Sequence, residues 1–150
     1  MARIVFNLPA QFSFSTELQV YISHVNQGGH LDNAQLLSLV SEARLRFFCA
    51  LGYREGHVEG AAIVVGDMLA QYKSEAFHDE TLRVQMQPMD FNRYGFDLVF
   101  CMTEVTQGRE VARGKTGIVF IDPGTRRVTP IPAGVLHKLQ QGVPSATDRT

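Results

Sequence analysis

The sequence predicts an α+β domain: one strand, one long buried helix, then an antiparallel meander. Three observations predict it. A stripe of apolar residues at helical spacing runs from Leu36 to Leu51. Four long runs rich in Val, Ile, Phe, Tyr, Leu and Met follow it, separated by short turn signals. One shorter run of alternating character precedes it. The 150 residues suffice for one domain with a sizeable core.

The first strand is expected over Glu17–His24. Leu18, Val20 and Ile22 alternate there with polar residues, the period of a half-buried strand. Asn26-Gln27-Gly28-Gly29 then breaks the run. Asp32 or Asn33 can cap the helix, and Gly52 can end it. Leu36, Val40, Ala43, Phe47 and Leu51 form its stripe, but Leu37, Leu39, Leu45 and Phe48 spread around much of the circumference. That spread predicts a helix covered on more than one side. Strands are expected at Ala61–Lys73, Glu80–Phe91, Tyr94–Thr106 and Glu110–Ile121, with Phe77-His78-Asp79, Asn92-Arg93 and Gln107-Gly108 as their turns. Short connections imply antiparallel neighbours. Arg126–Ile131 reads as a short edge strand and Ala133–Gln141 as a short terminal helix. From Gly142 the small, polar tail is expected to fray.

Several classes are disfavoured by composition. Hydrophobic residues make up 45% and charged residues 19%, which suits a globular chain rather than a disordered one. The formal net charge of −1 argues against a dedicated nucleic-acid binder. No apolar run is long enough to span a bilayer, and no signal peptide is read at the N-terminus. Cys49 and Cys101, each in an apolar context, read as two buried thiols of a cytoplasmic protein. No metal-ligand spacing such as CxxC or HExxH is present.

Four stretches resemble the hotdog fold, and within it the acyl-CoA thioesterases similar to 4-hydroxybenzoyl-CoA thioesterase. The first is VYISHVNQGGHLDNAQLLSLVSEARLRFF, similar to the family's strand, polar loop and helix with Glu-Ala-Arg. The second is Gln71-Tyr72-Lys73-Ser74 followed by Asp79-Glu80-Thr81-Leu82-Arg83-Val84. It is similar to a strand ending in Tyr-x-x-Pro-Ala and then Gly-Asp-x-Leu-x-Val. The third is the apolar run Phe96–Val105, and the fourth is Val111–Asp122, like the family's closing strand. Their order and spacing carry the resemblance. It implies a long central helix wrapped by a curved antiparallel sheet, in a homodimer or homotetramer that takes an acyl-CoA or related thioester. No metal or redox cofactor is implied beyond coenzyme A as part of the substrate.

Thioester hydrolysis needs an activated water or nucleophile, donors for the oxyanion, and a slot for the substrate. A helix N-terminus offers unpaired N–H groups and the positive end of a dipole. Gly28, Gly29 and Asn33 are therefore candidates for oxyanion and substrate contacts, with a plain turn and a plain cap as the structural alternatives. Many relatives carry an Asp that aligns, without gaps, on Asn26, and an amide cannot serve as a carboxylate base. A second branch of the family resembles Asn-x-His-x-x-Asn. With Gly28-Gly29 as an insertion, that pattern falls on Asn26, His30 and Asn33. His30 is then the general base, since imidazole titrates near neutrality, and Asn26 orients substrate or water. Glu42 is a second candidate base. It could equally form an i, i+4 ion pair with Arg46. Asp32 reads as a cap and His24 as a core histidine. Lys73, Arg113 and Lys115, with Arg93 and Arg109 also available, are candidates for the CoA phosphates. The leading expectation is an acyl-CoA thioesterase. The alternative is a non-catalytic acyl-thioester-binding module of the same fold.

Overall fold

The computed structural model describes residues 3–142. The fraying expected of 142–150 therefore lies, apart from Gly142, outside the described residues. A five-stranded antiparallel sheet is built from β1 (Phe14–Gln19), β2 (Ala62–Tyr72), β3 (Thr81–Met89), β4 (Gly95–Glu104) and β5 (Arg109–Ile121). The helices are α1 (Asn33–Ala50) and α2 (Ala133–Gln141).

Helix α1 begins where Asp32 stops the extended backbone. The Asp32 carboxylate accepts the N–H groups of Ala34 and Gln35 at 2.9 and 3.2 Å, which satisfies two of the first-turn donors. The helix ends at Leu51, and Gly52 takes the left-handed conformation (φ +93°) that glycine adopts without steric cost. The predicted stripe packs inward: Leu36, Val40, Ala43, Phe47 and Leu51 are all buried, as are Leu39 and Phe48. They meet the inward rows of the sheet, among them Leu82, Val84 and Met86 of β3, Leu98, Phe100 and Met102 of β4, and Ile118 and Phe120 of β5. Val135 and Leu139 of α2 close the same core. Helix α1 is buried over the wide arc that its spread of apolar residues predicts, and one face stays open in the single chain. Glu42, Leu45, Arg46 and Cys49 form an exposed face, so Cys49, against expectation, is an exposed free thiol, while Cys101 is buried and free.

The strand order is β1-β3-β4-β5-β2. The meander expected of all four later strands holds only for β3, β4 and β5. Strand β2 pairs with β5, at the far edge from β3. The connection of residues 73–80 must cross the ends of β5 and β4, a span of about 14 Å at a strand spacing of about 4.8 Å. Eight residues reach that easily, so a short connection did not require adjacency. The crossing chain is held throughout: Lys73 N–H donates to Val111 O, and Leu31 N–H to Ala76 O at 2.7 Å.

Strand β1 starts and stops earlier than expected. Its ladder ends at Gln19 opposite Thr81, where β3 begins. A 3-10 turn over Ile22–His24 replaces the expected last residues, and Ile22 is 71% exposed. His24 is not a core residue. It is half-buried, stacks on Tyr21 and accepts the Tyr21 N–H on Nδ1 at 3.0 Å. The segment 126–131 is not a strand either. It makes one bridge, Ile121 to Val128, and Pro130 and Pro132 lack the N–H groups that would extend it. No helix is long and apolar enough to cross a membrane among the described residues.

Side chains on the outer sheet face hold the N-terminal segment. Gln71 of β2 donates to Ile4 O at 2.7 Å, Arg113 of β5 donates to Phe6 O at 3.0 Å, and Gln87 of β3 accepts the Ser13 N–H at 2.8 Å. Residues 4–13 thus cross from β2 to β3, and Val99 and Cys101 on this face are buried.

Candidate active site

The loop from Val25 to Leu31 doubles back on itself before α1. Val25 and Leu31 form an antiparallel bridge, and Asn26 N–H donates to His30 O at 3.0 Å. Asn26 closes the turn twice. Its side-chain Oδ1 accepts the Gly28 N–H at 2.9 Å, and its carbonyl accepts the Gly29 N–H at 3.0 Å. This is the local bond to the backbone two residues on that asparagine favours in turns. Gly29 adopts φ +84°. The two glycines thus build the turn, and their N–H groups are occupied within it. They do not present the oxyanion donors expected of them.

The turn delivers His30 into a cavity of about 450 Å³ at the head of α1. Asn26, His30, Asn33, Tyr72, Lys73 and Glu75 give it polar groups, and Leu31, Leu36, Ala76 and Val111 give it an apolar wall. The opposite wall is the crossing connection from β2 to β3. It is locked to the loop by a bridge between His30 and Phe77 and by the Leu31–Ala76 hydrogen bond. This pairing sets Glu75 against His30, with Nε2 3.7 Å from Oε1. Tyr72, the last residue of β2, donates its hydroxyl to Asn33 O at 3.1 Å and so ties the strand end to the helix start. Within the first turn, Asp32 satisfies Ala34 and Gln35, and Leu36 N–H donates to Asp32 O. The Asn33 N–H has no such partner among the described residues. It is the first-turn donor without a partner there, on a residue that lines the cavity.

Arg109 fixes the crossing connection from behind. It donates to the Glu75 carbonyl and, at 2.6 Å, to the Glu80 carboxylate, whose other oxygen accepts the Phe77 N–H at 2.6 Å. Of the expected basic residues, only Lys73 lines the cavity. Arg113 forms a two-point ion pair with Glu110, at 2.5 and 2.8 Å. Arg113, helped by Lys73, holds the Glu110 carboxyl below its usual range. Lys115 is clamped by Asp67 and Asp97 at 2.5 and 3.1 Å. Burial opposes its charge, but the two carboxylates outweigh burial and hold its proton more tightly than usual. Both cations are thus already engaged by carboxylates. Arg93 lies over the Tyr94 ring, well away from the site.

Glu42 stands outside the cavity. It is half exposed and pairs with Arg46 at 3.2 Å, while Arg46 also reaches Thr16 and the Glu17 carbonyl. It serves the α1–β1 contact. The residue that sequence reasoning missed is Glu75. A signal was present, because Glu75 falls on the proline of the Tyr-x-x-Pro-Ala pattern that the second stretch resembles. No group of three or more His, Cys, Asp or Glu stands together as a metal site among the described residues.

Comparison with known proteins agrees with this architecture. The family model of the thioesterase-like superfamily matches residues 20–139. A 1,4-dihydroxy-2-naphthoyl-CoA thioesterase from Synechocystis has 18% identity and a TM-score of 0.78, over 85% of this chain and 95% of that one. A thioesterase from Thermus thermophilus, complexed with coenzyme A and Zn, has 22% identity and a TM-score of 0.76, over 89% and 96%. The Staphylococcus aureus protein SAV2348, in complex with CoA, has 16% identity and a TM-score of 0.77, over 94% and 91%. No curated protein matches the sequence. The likeness to the solved structures establishes the hotdog fold, and the family model, spanning most of the chain, establishes that this protein belongs to the thioesterase-like superfamily and is a thioester hydrolase.

Proposed function

We propose that the protein hydrolyses an acyl-CoA to a carboxylic acid and free CoA in the cavity at the head of α1. The observation that carries this reading is the placement of His30 and Glu75 on facing walls beside the unpartnered Asn33 N–H. The thioester carbonyl sits with its oxygen toward that N–H and the positive end of the α1 dipole. A water lies between His30 and the carbonyl carbon. His30 takes one water proton as the new C–O bond forms, giving a tetrahedral oxyanion. Glu75 holds the imidazole in place and balances its charge. The C–S bond then breaks, and the His30 proton goes to the departing thiolate. Asn26, whose Oδ1 is bound to Gly28, turns its amide N–H groups to substrate or water. Leu31, Leu36 and Val111 receive the acyl group.

The test is thiol release from short, long and aromatic acyl-CoAs. His30→Ala should lower kcat by about 100-fold or more, the scale of general base catalysis. Wild-type turnover in the His30→Ala variant places the chemistry elsewhere.

We infer further that two copies associate through β2. This edge strand is 11 residues long, and its helix-side residues Val65, Met68 and Tyr72 are 41%, 37% and 49% exposed. A long apolar edge needs a cover, and a second copy supplies an identical strand by two-fold symmetry.

A further inference from the structure

The reaction cavity has a neighbour. A groove of about 550 Å³ lies between the N-terminal segment and the end of β2, lined by Arg3, Ile4, Ala70, Gln71, Tyr72 and Lys73. Tyr72 and Lys73 line both spaces, so a ligand that enters one from the other passes these two residues. The groove also differs in charge from the rest of this sheet. Arg113 and Lys115 are neutralised by Glu110, Asp67 and Asp97. Arg3 and Lys73 have no ion-pair partner among the described residues, and no carboxylate lines the groove with them.

Resting on the hydrolase reading above, we infer that this groove holds the phosphate-bearing part of coenzyme A, with Arg3 and Lys73 as its cations. The N-terminal segment is then part of the substrate site. Its place there follows from two side chains that do not touch the ligand. Gln71 holds the Ile4 carbonyl, and Arg113, itself fixed by Glu110, holds the Phe6 carbonyl. These contacts carry Arg3 to the end of β2. Arg113 thus contributes to CoA binding as an anchor of the segment rather than as a phosphate contact. The pantetheine arm runs from the reaction cavity past Tyr72 and Lys73 into the groove, and the phosphates lie against Arg3 and Lys73. Guanidinium and ammonium groups together suit a polyphosphate: arginine grips oxygen pairs and lysine acts as a point charge.

The experiment compares one acyl group on two carriers, coenzyme A and N-acetylcysteamine, which lacks the phosphates. Arg3→Glu should raise KM for the acyl-CoA about tenfold, the scale of losing a charged hydrogen bond. The rise with the N-acetylcysteamine thioester should be several times smaller. Lys73→Glu should act in the same direction, and Arg127→Glu, an equal charge change outside the groove, sets the baseline. Equal changes with both carriers, or a change no larger than that of Arg127→Glu, overturn the proposal. Equilibrium dialysis of free CoA separates this outcome from failure of the hydrolase reading. If no thioester is cleaved, that reading fails, yet a CoA Kd raised about tenfold by Arg3→Glu still supports the groove. An unchanged Kd overturns it. Binding of adenosine in place of CoA, insensitive to Arg3→Glu, also counts against a phosphate site.

Discussion

Single residues at the site divide by how far their roles depend on local sequence. Asn26, His30 and Asn33 lie close together in sequence, across the loop and the first residue of α1, so their spacing was legible and the structure brings all three to one cavity. Glu75 lies 45 positions beyond His30 (75 − 30) and meets it only because the connection of residues 73–80 crosses the sheet end. Glu75→Gln keeps the side-chain shape but removes the charge that, in the proposed mechanism, stands against the imidazole. It should lower kcat by up to about 100-fold, the cost of misplacing a reacting group by about 1 Å, with little change in KM. Stopped-time thiol assays under saturating acyl-CoA check this. Glu104 offers a second test, on stability. It is 2% exposed, and the Thr106 and Gln107 N–H groups that it accepts at 2.8 Å hold its carboxyl below the usual range. A depressed carboxyl stabilises the fold fully above the unfolded value of about 4.3 and loses that effect as pH falls through the folded value. Glu104→Gln should therefore lower Tm at pH 7, and the gap to wild type should close as the pH is taken below about 4. A gap that stays constant with pH rules this role out.

At the scale of elements, α1 was readable because its apolar spacing, cap and terminal glycine agree with one another. Asp32→Ala removes a cap bonded to two N–H groups and should cost about 1 kcal/mol, or a few degrees in Tm for a chain of this size. Thermal unfolding followed by circular dichroism measures it. A wild-type Tm would show that the first turn is held by its packing alone. The spread of apolar residues around α1 matches its wide buried arc, which takes in Leu39 and Phe48 as well as the central stripe, while Leu45 and Cys49 share an outward face with Glu42 and Arg46. Periodicity gives a helix its phase but does not say how many layers surround it. Strands β3, β4 and β5 could be placed from their alternation and turns. Strand β2 could be found but not located, since an eight-residue connection allows adjacency or a crossing alike. Its final seat brings the two backbones into close approach. A Cβ at Gly114 would collide with the Leu69 carbonyl across the β5–β2 pair.

For the whole molecule, the exposed helix-side residues of β2 set an expectation about assembly. Met68→Glu places a charge in the proposed contact between copies. Sedimentation velocity should show wild type as a dimer and the variant shifted to monomer. A wild-type monomer, or a variant dimer as stable as wild type, removes β2 as the contact.

Local sequence, by itself, determined the α+β class, the capped helix α1, the terminal helix α2, the existence of the five strands and the polar loop that carries His30. Each of these rests on contacts within one segment or on a period within one element. Only the tertiary structure decided that β2 lies beyond β5, that Asn26 occupies the glycine N–H groups, that Glu42 and Arg113 are tied to neighbours, and that Glu75 faces His30. Those outcomes depend on which distant side chains share a strand register or a crossing, and a single period along the chain carries no information about its partner.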